Sequence, residues 1–161
     1  MRVSQTLIAA LLALAACSTG AADGSSSAMQ EAPAVHPESG LPIIELTVTT
    51  EKKRHNFRVE LAASSAEQAR GLMFRTRLGP GEGMLFPMQP PRPAAFWMRN
   101  TVIPLDIIFI GADRRILNIA ANTVPYDETP LPSEGIAAAV LEISGGRATE
   151  LGIGPGDKVD W

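Results

Sequence analysis

Apolar and polar positions change period several times along this chain, and each change marks an element. The runs "IIELTVTT" and "HNFRVELA" are β-branched with partial alternation, and the charged "EKKR" joins them, which predicts a hairpin. In the second run Phe57, Val59 and Leu61 take one face, while Asn56, Arg58 and Glu60 take the other. Next, "SSAEQARGLMFR" begins with Ser64 and carries Glu67 three residues on, the spacing of a capping box. A short helix is expected there, with Ala69, Leu72 and Met73 as its buried stripe, Arg70 at the margin, and Gly71 where another backbone approaches closely. "GPGEGMLFPMQPPRP" then gathers glycines and prolines around Met84-Leu85-Phe86, the pattern of a long irregular loop with one strand inside it.

"AAFWMRN" and "LDIIFIG" read as strands joined at "TVIP". In the second, Ile107 and Phe109 face one way and Ile108 and Ile110 the other, so it is covered on both sides and central in its sheet. "GADR" turns it into "RILNIAANT", and "VPYDETPLPSEG" is a second long loop before the strand "IAAAVLEIS". "GGRATELGI" suits a short helix, and "GPGDKVDW" a last strand entered through a turn whose Asp157 side chain caps backbone amides. No internal repeat is visible.

The N-terminal part has a different character. Met1 to Ala16 carries Arg2 and then an apolar run from Leu7 that is too short to span a bilayer, so it reads as an export signal. It ends "LAAC", and Leu14-Ala15-Ala16-Cys17 resembles the lipobox of bacterial lipoproteins, in which Cys17 becomes the lipidated first residue. The membrane is therefore an expected partner, and the periplasmic side of a bacterial membrane the expected location. Residues 17–40 are small, polar and interrupted by Pro33 and Pro37, the composition of a flexible tether, with His36 inside it. One folded domain is expected over residues 41–161.

Composition narrows the function. Cys17 is the only cysteine, so the domain can close no internal disulfide and must rest on its core, which a 45% hydrophobic chain can supply. A formal net charge of −3 with no basic cluster argues against a nucleic-acid partner. With Cys17 lipidated and His36 in the tether, His55 is the only nitrogen ligand left, and a His/Cys metal site cannot be assembled. Met73, Met84, Met88 and Met98 raise a Cu(I) reading, but they form no Met-x-Met or Met-x-x-Met cluster and methionine is ordinary core filler. No cofactor is expected.

Four charges stand in otherwise apolar elements: Arg70, Arg99, Asp106 and Glu142. Burying any of them unpaired costs several kcal/mol, so each needs a partner. Together with Trp97 and Asn100 they form the candidate ligand-binding set, since guanidinium forks match carboxylate or phosphate. The alternative is an internal ion-pair network that fixes strand register. Glu82, Asp106, Asp127, Glu128 and Glu142 are the carboxylates from which a hydrolase would draw a pair, and nothing in their spacing selects one.

The stretches "EQARGLMFR", "GMLFPM", "FWMRNTVIPLDIIFI" and "LEISGGRATELGIGPGDKV" occur in an order that resembles the family called domain of unknown function 192, over about Ile43 to Val159. The resemblance implies a mostly-β, compact β-barrel or sandwich with one or two short helices, often exported. It implies no activity and assigns no residue a role. The expected function is that of a cell-envelope lipoprotein acting as a non-catalytic small-ligand-binding or accessory module. The alternative is a small hydrolase acting on a cell-wall or sugar substrate through a carboxylate pair.

Overall fold

The structure, a computed structural model, describes residues 34–161. The expected export signal, Cys17 and the larger part of the expected tether lie outside the described residues. Seven strands and two short helices follow in the order β1 (Ile43–Thr49), β2 (Arg54–Leu61), α1 (Ser65–Arg70), β3 (Glu82–Phe96), β4 (Leu105–Gly111), β5 (Ile116–Ala120), β6 (Leu131–Ser144), α2 (Arg147–Leu151) and β7 (Lys158–Asp160). The chain is mostly β, as its periodicities predict.

All seven strands belong to one sheet, in the order β5-β4-β6-β3-β2-β1-β7. Every pairing is antiparallel except β2 with β3, which run parallel because the chain crosses over between them through α1. The sheet curls until its two ends meet, giving a half-barrel. Arg115 bridges to Lys158, and Val159 N–H donates to the Arg114 carbonyl at 2.8 Å.

The curl divides the core in two. Its inside is filled from nearly every strand, by Leu46, Val48, Phe57, Val59, Leu85, Ile108, Ile110, Leu141, Ile143 and Val159 among others. A second cluster lies on the opposite face of β3, β4 and β6, where Met84, Phe86, Ile107, Phe109 and Val140 are covered by Leu72 and Met98 from the connecting segments. β4 is buried at all seven positions because it contributes to both clusters, and its sequence is accordingly apolar apart from Asp106.

Several expectations are corrected. Residues 82–96 form one long strand instead of a loop with a strand inside it. Its prolines are accommodated by register shifts between Pro87 and Arg92 and between Pro93 and Ala95, where no ladder amide is required. "FWMRN" is not a strand beyond Phe96, because the chain turns there. α1 ends at Arg70 and buries none of its own residues; Ala69 is exposed, and Leu72 is the buried anchor beyond the helix. Gly71 meets no close backbone from another element: a Cβ there would make ordinary contacts, 3.5 Å to the Phe86 ring and 3.7 Å to the Gln68 carbonyl of the preceding helix, and its φ of +49° is what calls for glycine. The capping box stands, with Ser64 Oγ accepting from Glu67 N–H and Glu67 accepting from Ser64 N–H.

Order also begins before Leu41. Val35 bridges to Pro42, and Ile43 N–H donates to the Ala34 carbonyl at 2.7 Å. This short strap is clasped by charge: the buried Glu60 accepts from Arg75 at 2.8 Å and from Ser39, while Glu38 reaches Arg75 at 3.3 Å. His36, assigned by composition to a tether, lies beside this pair, its Nδ1 3.4 Å from the Arg75 guanidinium.

Candidate functional site

The two charges that stand out in "FWMRNTVIPLDIIFIG" do not meet. Asp106, fully buried on β4, accepts three backbone N–H groups: Asn122 at 2.7 Å and Gly146 at 2.9 Å on Oδ1, and Ala148 at 2.7 Å on Oδ2. One carboxylate thus ties β4 to the end of the β5 connection and to the first turn of α2. It is a structural staple and does not face the cavity described below. Arg99 is 48% exposed, pairs with the equally exposed Glu128 at 3.0 Å, and lays its guanidinium 4.8 Å above the Trp97 ring.

A cavity of about 320 Å³ opens on the outer face of the sheet, bounded by the α1 segment, by β3 and by the turn after Phe96. Leu72, Met73, Phe86, Met88 and Phe96 supply its apolar walls. The aromatic wall is fixed by edge-to-face contacts from Phe96 to Phe86 at 5.1 Å and to Phe109 at 6.1 Å. Three arginines line it from three different elements, Arg70 at the end of α1, Arg92 in β3 and Arg99 in the turn. Arg70 lies 5.9 Å over the Phe74 ring; among the described residues neither Arg70 nor Arg92 makes an ion pair.

Glu142 is the only carboxyl among the residues lining this cavity. It stands on β6 between Met84 of β3 and Ile107 of β4, both members of the outer cluster, and is 5% exposed. No described residue hydrogen-bonds or ion-pairs with its side chain, and burial pushes its pKa up to about 8. Near neutral pH it is therefore an uncharged carboxylic acid, able to donate one hydrogen bond and accept others. Gly83 allows the strands to close around it, for a Cβ at that position would lie 2.5 Å from the Glu142 carbonyl oxygen. On β6, Glu142 shares its face with Val140 but not with Ala138. A bulge opposite Gly111 resets the alternation, and Ala137 takes the next place on that face.

The turn carrying Trp97 and Arg99 is held by left-handed residues. Phe74, Asn100 and Tyr126 have φ of +65°, +55° and +65°. Phe74 N–H donates to the Asn100 carbonyl at 2.8 Å, and Tyr126 N–H to the Thr101 carbonyl at 3.1 Å. Such residues cost on the order of 1 kcal/mol or more each and persist where surrounding structure dictates them. Asn100 itself is not among the cavity-lining residues; its amide reaches Met73 Sδ at 3.8 Å.

Of the six residues singled out from sequence, Arg70, Trp97, Arg99 and Glu142 converge on the cavity, and Asn100 and Asp106 do not. Arg92 was missed, although a lone cation among prolines in "PPRP" is a signal that a position faces solvent or a ligand. Met84, Met88 and Met98 are core residues of the outer cluster. His55 lies on β2 opposite Val48 and is half-buried, with no partner for its Nε2 among the described residues. No carboxylate pair converges in the cavity: Asp127 and Glu82 each accept a nearby backbone amide, from Thr129 and Gly79, and Glu128 holds Arg99.

Fold and cavity together define a half-barrel domain with an arginine-rimmed, apolar-walled pocket. A family profile described as "Uncharacterized ACR", domain of unknown function 192, matches residues 46–161, and the chain belongs to that family. Among solved structures it is similar to a protein of unknown function from Novosphingobium aromaticivorans, with 68% identity, a TM-score of 0.79, and coverage of 82% of this chain and 94% of that one. It is also similar to a proposed transcription regulator from Sinorhizobium meliloti, with 36% identity, a TM-score of 0.73, and coverage of 74% and 94%. No curated protein matches the chain.

Proposed function

We propose that this protein is a cell-envelope lipoprotein whose half-barrel domain binds a small ligand in the arginine-rimmed pocket without transforming it. The observation that carries the reading is the placement of a buried Glu142, without a partner among the described residues, in the same cavity as Arg70, Arg92 and Arg99. Keeping an ionisable group at the buried end of a cavity without a protein partner costs stability, and the cost is accounted for if a ligand supplies the partner. A hydrolytic reading is less well supported, because a carboxylate pair has nothing to pair with Glu142 there. Anchoring is supported by Leu14-Ala15-Ala16-Cys17 and the small, polar residues that follow, and it places the domain on the periplasmic side of a bacterial membrane.

The test is a thermal-shift series on the full chain with small carboxylates, phosphates and sugars. A ligand at a hundred times its dissociation constant adds about 2.7 kcal/mol of stability. The reading predicts at least one such stabiliser whose effect is lost in Arg92→Ala, with the ligand recovered chemically unchanged. A stabiliser indifferent to Arg92→Ala, or one recovered as a cleaved product, contradicts it. Anchoring is tested separately by labelled palmitate: incorporation into the wild-type chain and none into Cys17→Ser is expected, and an unlabelled wild-type chain refutes the anchor.

A further inference from the structure

The pocket's chemistry differs at its two ends, and that difference selects among ligands; the inference rests on the binding role proposed above. At the rim stand two arginines with no carboxylate partner among the described residues, Arg70 and Arg92, with Arg99 beside them, already paired to Glu128. The inner end is Glu142, walled by Phe86, Met88 and Leu72. We propose that the pocket takes a small organic anion carrying one apolar ring or a short aliphatic body, its carboxylate held at Arg70 and Arg92 and an uncharged hydroxyl or carbonyl at its far end hydrogen-bonded to Glu142.

Each part of that description comes from a feature of the site. Guanidinium groups recognise carboxylates by paired hydrogen bonds, and, being more weakly hydrated than an ammonium, they give up less hydration when a carboxylate arrives. The charged groups that face Glu142 within the cavity are Arg70 from α1, Arg92 from β3 and Arg99 from the turn, while its neighbours across the strands, Met84 and Ile107, are apolar. A cationic ligand would therefore meet three like charges before it reached a carboxyl that burial keeps protonated. A wholly apolar ligand would leave Glu142 without a partner. The cavity's 320 Å³ lies at the small end of ligand pockets, which suits one ring and excludes an oligomer. A protonated carboxyl can also donate to an acceptor that a carboxylate would repel, so affinity falls as the medium becomes alkaline enough to ionise it.

Four matched probes test this on the purified full chain by titration calorimetry and by amide NMR of the pocket residues: para-hydroxyphenylacetate, phenylacetate, tyrosol and tyramine. The first carries both recognised ends, the second lacks the hydroxyl, the third lacks the anion and the fourth replaces it with a cation. Para-hydroxyphenylacetate is expected to bind best, phenylacetate about fivefold more weakly and tyrosol about tenfold more weakly, in line with one lost hydrogen bond and one lost charged pair. Arg92→Ala should weaken para-hydroxyphenylacetate about tenfold. In Glu142→Leu, which removes a buried acid and fills its place, para-hydroxyphenylacetate and phenylacetate should bind alike. In Glu142→Gln the hydroxyl preference should survive while the loss of affinity above about pH 8 disappears.

Tyramine or tyrosol binding as tightly as para-hydroxyphenylacetate overturns the anionic class and leaves the pocket's binding role intact. A hydroxyl preference that persists in Glu142→Leu overturns the assignment of the inner end. If none of the four probes shifts a pocket amide at millimolar concentration, the inference falls, and the binding role is decided by the thermal-shift series with phosphates and sugars.

Discussion

At the scale of single residues, similar charges in apolar surroundings turn out to do different work, and mutation should separate them. Asp106→Ala leaves three backbone amides without their acceptor, one of them buried and two part-buried, so a loss of about 3 kcal/mol is expected in denaturant unfolding. Arg99→Ala breaks a half-exposed pair and an exposed contact with the Trp97 ring, and should stay within about 1 kcal/mol of wild type. Equal losses from the two would contradict the division between staple and rim. Glu142 behaves in a third way. Its unfolded carboxyl ionises near 4.5, whereas the folded one stays protonated to about 8, so the folded state binds the extra proton between those values. Stability is therefore highest below about pH 4.5, falls as pH rises through the window to about 8, and is flat in this respect above it. Glu142→Gln removes that slope and should stabilise the protein at pH 8 by on the order of a few kcal/mol, read from midpoints of denaturant unfolding across the window. An unchanged pH slope in the variant would show that Glu142 is ionised in the folded protein.

At the scale of elements, the features legible in the sequence were those written in local chemistry. Ser64 and Glu67 announced the start of α1, and Asp157 announced its turn, where Oδ2 accepts Gly154 N–H at 2.8 Å. What escaped was decided by distant contacts. The proline-rich segment became β3 because β6 pairs along it through two register shifts, which no local pattern records. Residues 34–40 look like linker, yet Glu60 and Arg75, from β2 and the segment after α1, hold them in place. Ser64→Ala should cost about 1 kcal/mol and loosen the amide protection of α1, which Gln68 otherwise ties to the Pro87 carbonyl at 2.8 Å. Arg75→Ala should cost about 3 to 5 kcal/mol, since it strands a buried Glu60, and should speed hydrogen exchange at Ile43 and His36. Unchanged exchange there would mean the strap does not depend on that clasp.

At the scale of the molecule, the pocket exists because one sheet serves two cores. The inner cluster closes the half-barrel, and the outer one leaves a gap between α1, β3 and the turn after Phe96, which the chain lines with arginines and one acid. Of the six candidates, the three charged ones that line the cavity, Arg70, Arg99 and Glu142, were legible because a charge in an apolar run is conspicuous; the distinction between Asp106 and Glu142 was not, because it depends on which backbone amides lie within reach of each. The central claim is that Glu142 is a neutral acid awaiting a ligand, and a carbon-13 NMR titration of its carboxyl in the full chain tests it most directly. The account predicts a protonated carboxyl at pH 7, a midpoint near about 8, and a further rise when para-hydroxyphenylacetate is added. A carboxyl that ionises in the usual acidic range and ignores that anion would contradict it.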